Sequence, residues 1–170
     1  MVAPLIERWA RLYNDHKVVS DAVTFAHLAG ILVGGGVAIA ADRAAIGMAP
    51  ASDVPYTPPL GGRAVHRWVV VGLAVITVSG LGMLFADLHT YITAPLFWMK
   101  MGLTLVLIGN GWVRMKAEQA VLAGVQAARA RFRRTSLASL VLWLVILLAG
   151  VMLTGTAGAL GGYGMMLVWK

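Results

Sequence analysis

Four apolar runs, each near twenty residues, dominate the pattern of the chain: 22–41, 68–86, 96–113 and 137–157. None shows the short two-residue alternation of a membrane β-barrel strand. A helix needs about 20 apolar residues to cross ~30 Å of hydrocarbon. Helices also keep every backbone polar group satisfied where no water is present. The pattern therefore predicts an all-α polytopic membrane protein, a bundle of four transmembrane helices forming a single membrane domain over 1–170. Pro95 stands just before the third run, where its missing N–H costs nothing. Ser136 is placed to cap the fourth, and Gly158 with the Gly161–Gly162 pair to end it.

Outside the runs the pattern changes. Residues 4–17 put Leu5, Trp9, Leu12 and His16 on one helical face and Glu7, Arg8, Arg11 and Asp15 elsewhere. That is the signature of an amphipathic helix lying at the membrane surface. Residues 48–63 hold Pro50, Pro55, Pro58, Pro59 and Gly61–Gly62 and read as an irregular loop. Residues 114–134, rich in Ala and Arg, read as a helical extension of the third span. The first apolar run begins only after residue 17, too late for a usual secretory signal. An Ala-x-Ala pattern at residues 38–40 mimics a cleavage site, but the segment is expected to be retained.

Composition narrows the class. Hydrophobic residues make up 59% of the 170 and charged residues 12%, too few to cover a soluble domain. Mean hydropathy is +0.80, which excludes a disordered chain. With no cysteine, thiolate metal sites, iron–sulfur clusters and covalent haem are excluded. The net charge of +7 comes from basic residues between the apolar runs, so anionic headgroups rather than nucleic acid are the expected partners. An even number of spans puts both termini and the 87–95 connection on one side of the membrane. The opposite side carries Arg43, Arg63, Arg67, Arg114, Lys116, Arg129, Arg131, Arg133 and Arg134. By the positive-inside rule that side is cytoplasmic and both termini lie outside.

No nucleophile–base constellation and no phosphate-binding loop is visible, so nothing in the sequence points to an enzyme. His27 is the most informative residue. It lies about five residues, or ~8 Å, inside the outer edge of span 1, on a face with Gly30 and Gly34. Small residues at that spacing let helices approach closely, so His27 is expected to face other helices. A buried ionisable group in a membrane bundle is a functional candidate; the plainer alternative is a neutral imidazole bonded to a neighbouring carbonyl or hydroxyl. At the same depth stand Met83, on a face with Gly72, Ile76 and Ser79, and Met99 and Met101 around Lys100. Imidazole with thioether suits copper, and His/Met also ligates haem iron. Methionine is equally ordinary core filler. Met152 lies opposite the Ser139–Trp143–Gly150–Thr154 face and is expected to see lipid.

The remaining histidines do not complete a haem site. His89 lies ~12 Å from the level of His27, and His66 is at the far edge. His16, Asp15, Asp87 and His89 could gather a surface cation but read more simply as headgroup-level polar residues. Lys100 is expected to snorkel or to pair with Asp21 or Asp87. Asn110 is expected to bond across helices, and Asp42 ends span 1 at the level of Arg114. Trp68, Trp98, Trp112 and Tyr91 are interfacial anchors.

Two stretches resemble a known group. Phe25-Ala-His-Leu-Ala-Gly-Ile-Leu-Val-Gly-Gly-Gly36 with Asp42 is one. Ser79-Gly-Leu-Gly82 through Tyr91, Phe97-Trp-Met-Lys100 and Asn110-Gly111 is the other. Together they resemble uncharacterised bacterial four-helix inner-membrane proteins, distantly similar to the membrane domain of copper-resistance protein D. The resemblance implies a bacterial inner-membrane protein with His27 as the matching histidine, and copper passage or copper-linked redox chemistry. Three functions stay open: metal handling through His27, Met83, Met99 and Met101; an accessory or scaffold subunit of a larger membrane complex; and a b-type haem electron carrier.

Overall fold

The computed structural model describes residues 3–47, 57 and 62–167, with side chains described for residues 4–47, 57 and 64–153. All regular structure among them is helical. Helix α1 (Ala3–Asp15) precedes span 1, a continuous rod of α2 (Lys17–Gly30), a π-helical turn (Ile31–Gly35) and α3 (Gly36–Gly47). Span 2 is α4 (Gly62–Ala86). A short α5 (Leu88–Thr93) leads into span 3, α6 (Pro95–Leu122), and span 4 is α7 (Ala128–Leu167). These helices carry the four segments long and apolar enough to cross a membrane, so the chain is a multi-pass, all-helical membrane protein. The 48–63 loop expectation falls largely outside the described residues; residues 62 and 63 already belong to α4.

Glycines set the closest helix approach. A Cβ on Gly72 would sit 2.4 Å from the Cα of Gly34, and one on Gly34 would sit 2.9 Å from the Cα of Gly72. Both atoms are main chain, so neither can move aside, and spans 1 and 2 touch backbone to backbone as small-residue steps allow. The π turn follows from the same crowding. Its extra residue turns Gly34 toward α4, while a Cβ on the adjacent Gly35 would lie 3.2 Å from the Trp143 ring of α7. Span 1 is thus held between spans 2 and 4, and span 3 packs on span 4. The four form a curved row in the order 2, 1, 4, 3, whose ends, α4 and α6, have almost no direct contact.

Several expectations need correction. The 114–134 segment is not one extension of span 3. Helix α6 stops at Leu122, and the chain reverses through Gly124, whose φ of 84° is the one left-handed glycine among the described residues. Its second arm belongs to α7, folded back so that Phe132, fully buried, packs with Ala45, Ala117 and Val121. This places part of the basic segment against protein: Arg129 is buried and Arg133 Nε donates to the Ile46 carbonyl at the end of α3, a cation on a helix C-terminus, while Arg131 and Arg134 stay exposed. Because α7 starts at Ala128, Ser136 is inside the helix and does not cap it. Gly158 and Gly161–Gly162 do not end α7 either; it continues to Leu167, since a glycine stop needs the left-handed turn that, among the described residues, occurs at Gly124.

Helix α1 docks on the end of span 2. Trp9 Nε1 donates to the Gly82 carbonyl at 2.7 Å, and Asn14 Nδ2 reaches the Ala86 carbonyl. Tyr13 turns inward beside Trp9, while Leu5, Leu12 and His16 are exposed. The helix is therefore clamped to the end of span 2 through Trp9 and Tyr13 and offers its leucines to the surroundings.

Candidate functional site

His27 is where the sequence pointed first. The Gly30–Gly34 step brings α2 onto α4, and His27 Nδ1 meets Ser79 Oγ at 3.0 Å. The Ser79 hydroxyl proton is already committed to the Val75 carbonyl at 2.6 Å. With the hydroxyl proton there, Nδ1 is placed to donate to Ser79 Oγ. A Cβ on Gly80 would come within 3.4 Å of the ring, so α4 is cut away to receive it. These are the bonds of a satisfied neutral imidazole between helices.

The expected thioethers differ in exposure. Met99 is 47% exposed on the flank of α6, and Met101 lies half-buried on the other flank. Between them Lys100 takes the inward position. Its Nζ lies 3.4 Å from where a Gly150 Cβ would be, and it is the charged group that acts on His27. An ammonium at that place opposes a bound cation. Met83 is half-buried on α4, and Met152 is 49% exposed as expected. Lys100 pairs with neither expected carboxylate: Asp21 meets Lys17 at 3.7 Å on the exposed surface, and Asp87 accepts from the Thr90 amide to cap α5. No group of three or more His, Cys, Asp or Glu residues able to hold a metal exists among the described residues, which includes the His16–Asp15–Asp87–His89 set. Asn110 does bond across helices, donating from Nδ2 to the Thr135 carbonyl at 2.8 Å.

The strongest site lies at the other end of the bundle, where the sequence placed only polar neighbours. Because spans 2 and 3 do not close on one another, a cleft of about 720 Å³ remains between them. Val65, Val69, Val70 and Leu73 of α4 form one wall, and Leu107, Ile108, Gly111 and Met115 of α6 form the other. Ala38 and Ala41 of α3 and Trp143 of α7 close the back. Val70, Ile108 and Trp112 are among its lining residues and are exposed, so the cleft opens sideways toward the hydrocarbon. Lys116 Nζ stacks on the Trp112 ring at 3.6 Å, close to the cation–π optimum.

One end of this cleft is polar. Asp42, 1% exposed, accepts from Arg114 Nε at 2.5 Å, and Arg114 also donates to Ser136 Oγ at 3.2 Å and from Nη1 to Glu118 Oε2 at 3.2 Å. The Phe132 ring lies 5.1 Å from the guanidinium carbon. The Ser139 hydroxyl borders Asp42. Yet Asp42 Oδ2 and Arg114 Nη2 end buried with no hydrogen-bond partner. Such atoms are few in natural structures and each costs about 1–3 kcal/mol or more if left empty-handed. Asp42, Arg114, Glu118 and Ser139 all line the cleft, while these two atoms lie behind its surface.

Sequence reasoning had Asp42 and Arg114 at one level but missed Glu118, Ser136 and Ser139. The signal was present in part: Arg114 and Glu118 stand four apart on one helix, a spacing that pairs. Tyr91, on α5 at the opposite end, has its phenol pushed above the ordinary tyrosine value by burial, with Tyr13 and Asp87 adding to the effect. The chain matches no known family, no curated protein and no solved structure.

Proposed function

We propose that this protein binds an amphiphilic molecule drawn sideways from one leaflet of the membrane into the cleft between spans 2 and 3. The observation that carries the reading is an apolar cleft between spans 2 and 3 that ends at the Asp42–Arg114–Glu118 network. Apolar walls with a few convergent polar groups are what ligand sites consist of, and about 720 Å³ falls within their usual 300–1,000 Å³. The lining runs from Val65 to Leu73 on α4, about 12 Å, and from Leu107 to Leu122 on α6, about 22 Å. An acyl chain of one leaflet, about 15 Å deep, is accommodated with its head near Arg114 and its tail among Leu73, Leu107 and Trp143.

The test is to extract the protein with its surrounding bilayer in polymer nanodiscs and weigh it intact by mass spectrometry. Wild type is expected to retain a stoichiometric amphiphile. Ile108→Trp, which fills the mouth from an exposed position, is expected to lose it. Equal retention in both, or no retained molecule in wild type, overturns the reading. A Soret band, or stoichiometric copper lost on His27→Ala, would instead establish the cofactor alternatives.

The residence we propose is the bacterial inner membrane, with the cleft in the cytoplasmic leaflet and the α5 end outside. What supports this is the basic content of the α6–α7 hairpin and the positive-inside rule.

A further inference from the structure

We infer that the groove where α7 crosses the end of α3 is a binding site for one anionic glycerophospholipid, separate from the cleft between spans 2 and 3. The phosphate sits between Arg133 and Arg134, and an acyl chain lies along the exposed stripe of α7.

The groove, about 330 Å³, is lined by Ile46 of α3 and by Ala130, Arg133, Arg134 and Leu137 of α7. The helical period decides what continues from it. Positions 130, 134, 137, 141, 144 and 148 stand three or four apart, so they share one face of α7. On that face Leu137, Val141, Leu144 and Leu148 are each about half exposed, whereas Trp143, on the opposite face, is buried in the bundle. From 137 to 148 the apolar stripe runs about 16 Å, close to the ~15 Å depth of one leaflet. A guanidinium above such a stripe matches the outline of a phospholipid, head and tail together, which a free phosphate would fill only in part.

Both guanidiniums are available to a head. Arg133 gives its Nε to the Ile46 carbonyl at 3.1 Å, which holds it at the groove and leaves its two Nη groups. Arg134 is exposed and makes no hydrogen bond or ion pair among the described residues. Guanidinium forks bind phosphate oxygens two at a time, and basic pockets at helix boundaries seat anionic headgroups. This end of the bundle stays positive wherever the 48–61 segment lies, because that segment carries one charged side chain, Asp53. Asp42 and Glu118 are taken up by Arg114. The other four acidic residues, Glu7, Asp15, Asp21 and Asp87, belong to α1, the start of α2 and the cap of α5, at the opposite end. Against three acidic side chains stand nine basic ones. They include Arg43, exposed one turn before Ile46, and Arg129, buried and already engaged. A zwitterionic head would bring its own ammonium against the arginines, so the anionic head is the better fit.

The test is native mass spectrometry of the full chain in detergent micelles, titrated with dioleoyl-phosphatidylglycerol or dioleoyl-phosphatidylethanolamine. It is run in the Ile108→Trp background, where the mouth of the other cleft is filled from an exposed position, so a lipid held there is not counted. The first phosphatidylglycerol is expected to bind about tenfold tighter than phosphatidylethanolamine, the effect of one to two surface cations. Arg134→Gln, at an exposed position, is expected to weaken it about fivefold and to leave phosphatidylethanolamine unchanged. Ala130→Trp fills the groove without altering charge and is expected to weaken it as well. Arg131→Gln removes the same charge from an exposed residue outside the groove and is expected to leave binding as it was. Equal affinity for the two lipids overturns the inference. So does an equal loss in Arg131→Gln and Arg134→Gln, which would mean diffuse attraction to the basic segment, or full binding in Ala130→Trp, which would place the lipid elsewhere.

Discussion

Arg114→Met removes the cation at the polar end of the cleft while keeping the length and apolar bulk of the side chain. Asp42, 1% exposed, then loses its only ion-pair partner, whereas in Asp42→Asn the guanidinium keeps Glu118 at 3.2 Å and the Phe132 face at 5.1 Å. The two halves of one ion pair should therefore cost unequal amounts. Stranding a buried charge by deleting its partner costs about 3–5 kcal/mol, and that range applies to Arg114→Met. Asp42→Asn loses charge-assisted hydrogen bonding and strands a cation that is still partnered, so about 1.5–3 kcal/mol is the scale. The double variant removes both charges, so its cost should fall short of the sum by about 1–3 kcal/mol, as for groups in one network. Titrating the purified protein with SDS in mixed micelles, with helicity as the readout, gives all three values under one condition. An Asp42→Asn cost equal to or above that of Arg114→Met, or strict additivity in the double variant, would refute the claim that Arg114 is the charge partner on which Asp42 depends.

Further outcomes follow from other contacts. Gly72→Ala drives a Cβ to 2.4 Å from the Gly34 main chain, so it should destabilise by about 1–3 kcal/mol in the same titration; Gly36→Ala, with nothing within 4 Å, should be neutral or stabilising. Trp9→Phe deletes the 2.7 Å bond to the Gly82 carbonyl and should cost about 1 kcal/mol, with α1 becoming more open to protease; unchanged cleavage would mean that the ring alone holds the helix. With its phenol raised, Tyr91 stays neutral in the folded protein at a pH where it ionises in the unfolded chain. The folded state then binds more protons, so stability falls as pH climbs past the ordinary tyrosine value near 10; ultraviolet titration should show a late-ionising phenol that vanishes in Tyr91→Phe. The chain has no cysteine, so single cysteines report topology cleanly. An impermeant maleimide should label His89→Cys in intact cells and Ala127→Cys only after permeabilisation, and the reverse pattern would invert the proposed orientation.

Four spans were legible because hydrocarbon imposes one length and one polarity on whatever crosses it. The Gly30–Gly34 step was legible for a related reason: only close packing rewards the loss of a side chain inside a membrane helix. What the pattern could not supply was rotation. On α1, Leu5 and Leu12 form as good an apolar stripe as Ile6 and Tyr13, and what decides between them is the Gly82 carbonyl, seventy-three positions from Trp9. The same blindness affects the helix ends. Ser136 has a terminal propensity, but that weakens when Phe132 and the Arg114 network anchor an earlier start of α7 and bury Ser136. The methionines around Lys100 show how depth misleads when rotation is unknown. Met99, Lys100 and Met101 share a level with His27, yet successive helical residues point about 100° apart, and it is the lysine that turns inward.

Rotation also explains why the cleft was invisible. In a soluble bundle an apolar face must find a protein partner, so apolar pattern alone forecasts contact. In a bilayer lipid satisfies an apolar face as well as a neighbouring helix does, and the stripes of α4 and α6 read the same whether or not they meet. Their failure to meet is set by their neighbours. The backbone contact of Gly34 with Gly72 pins α4 to span 1, the Trp143 ring against Gly35 keeps span 4 on the far side, and α6 follows α7 through the tight turn at Gly124. With three contacts fixed, the row curves but does not close. The gap falls at the level where Asp42 and Arg114 bond, and the polar end of the cleft is therefore built by the same residues that hold the bundle together. Function and stability should then be separable only at its rim. Ile108→Trp ought to lose the ligand while leaving the Asp42–Arg114 bond intact, whereas Arg114→Met should lose ligand and fold together. A variant at Arg114 that kept full stability yet lost the bound amphiphile would break that link.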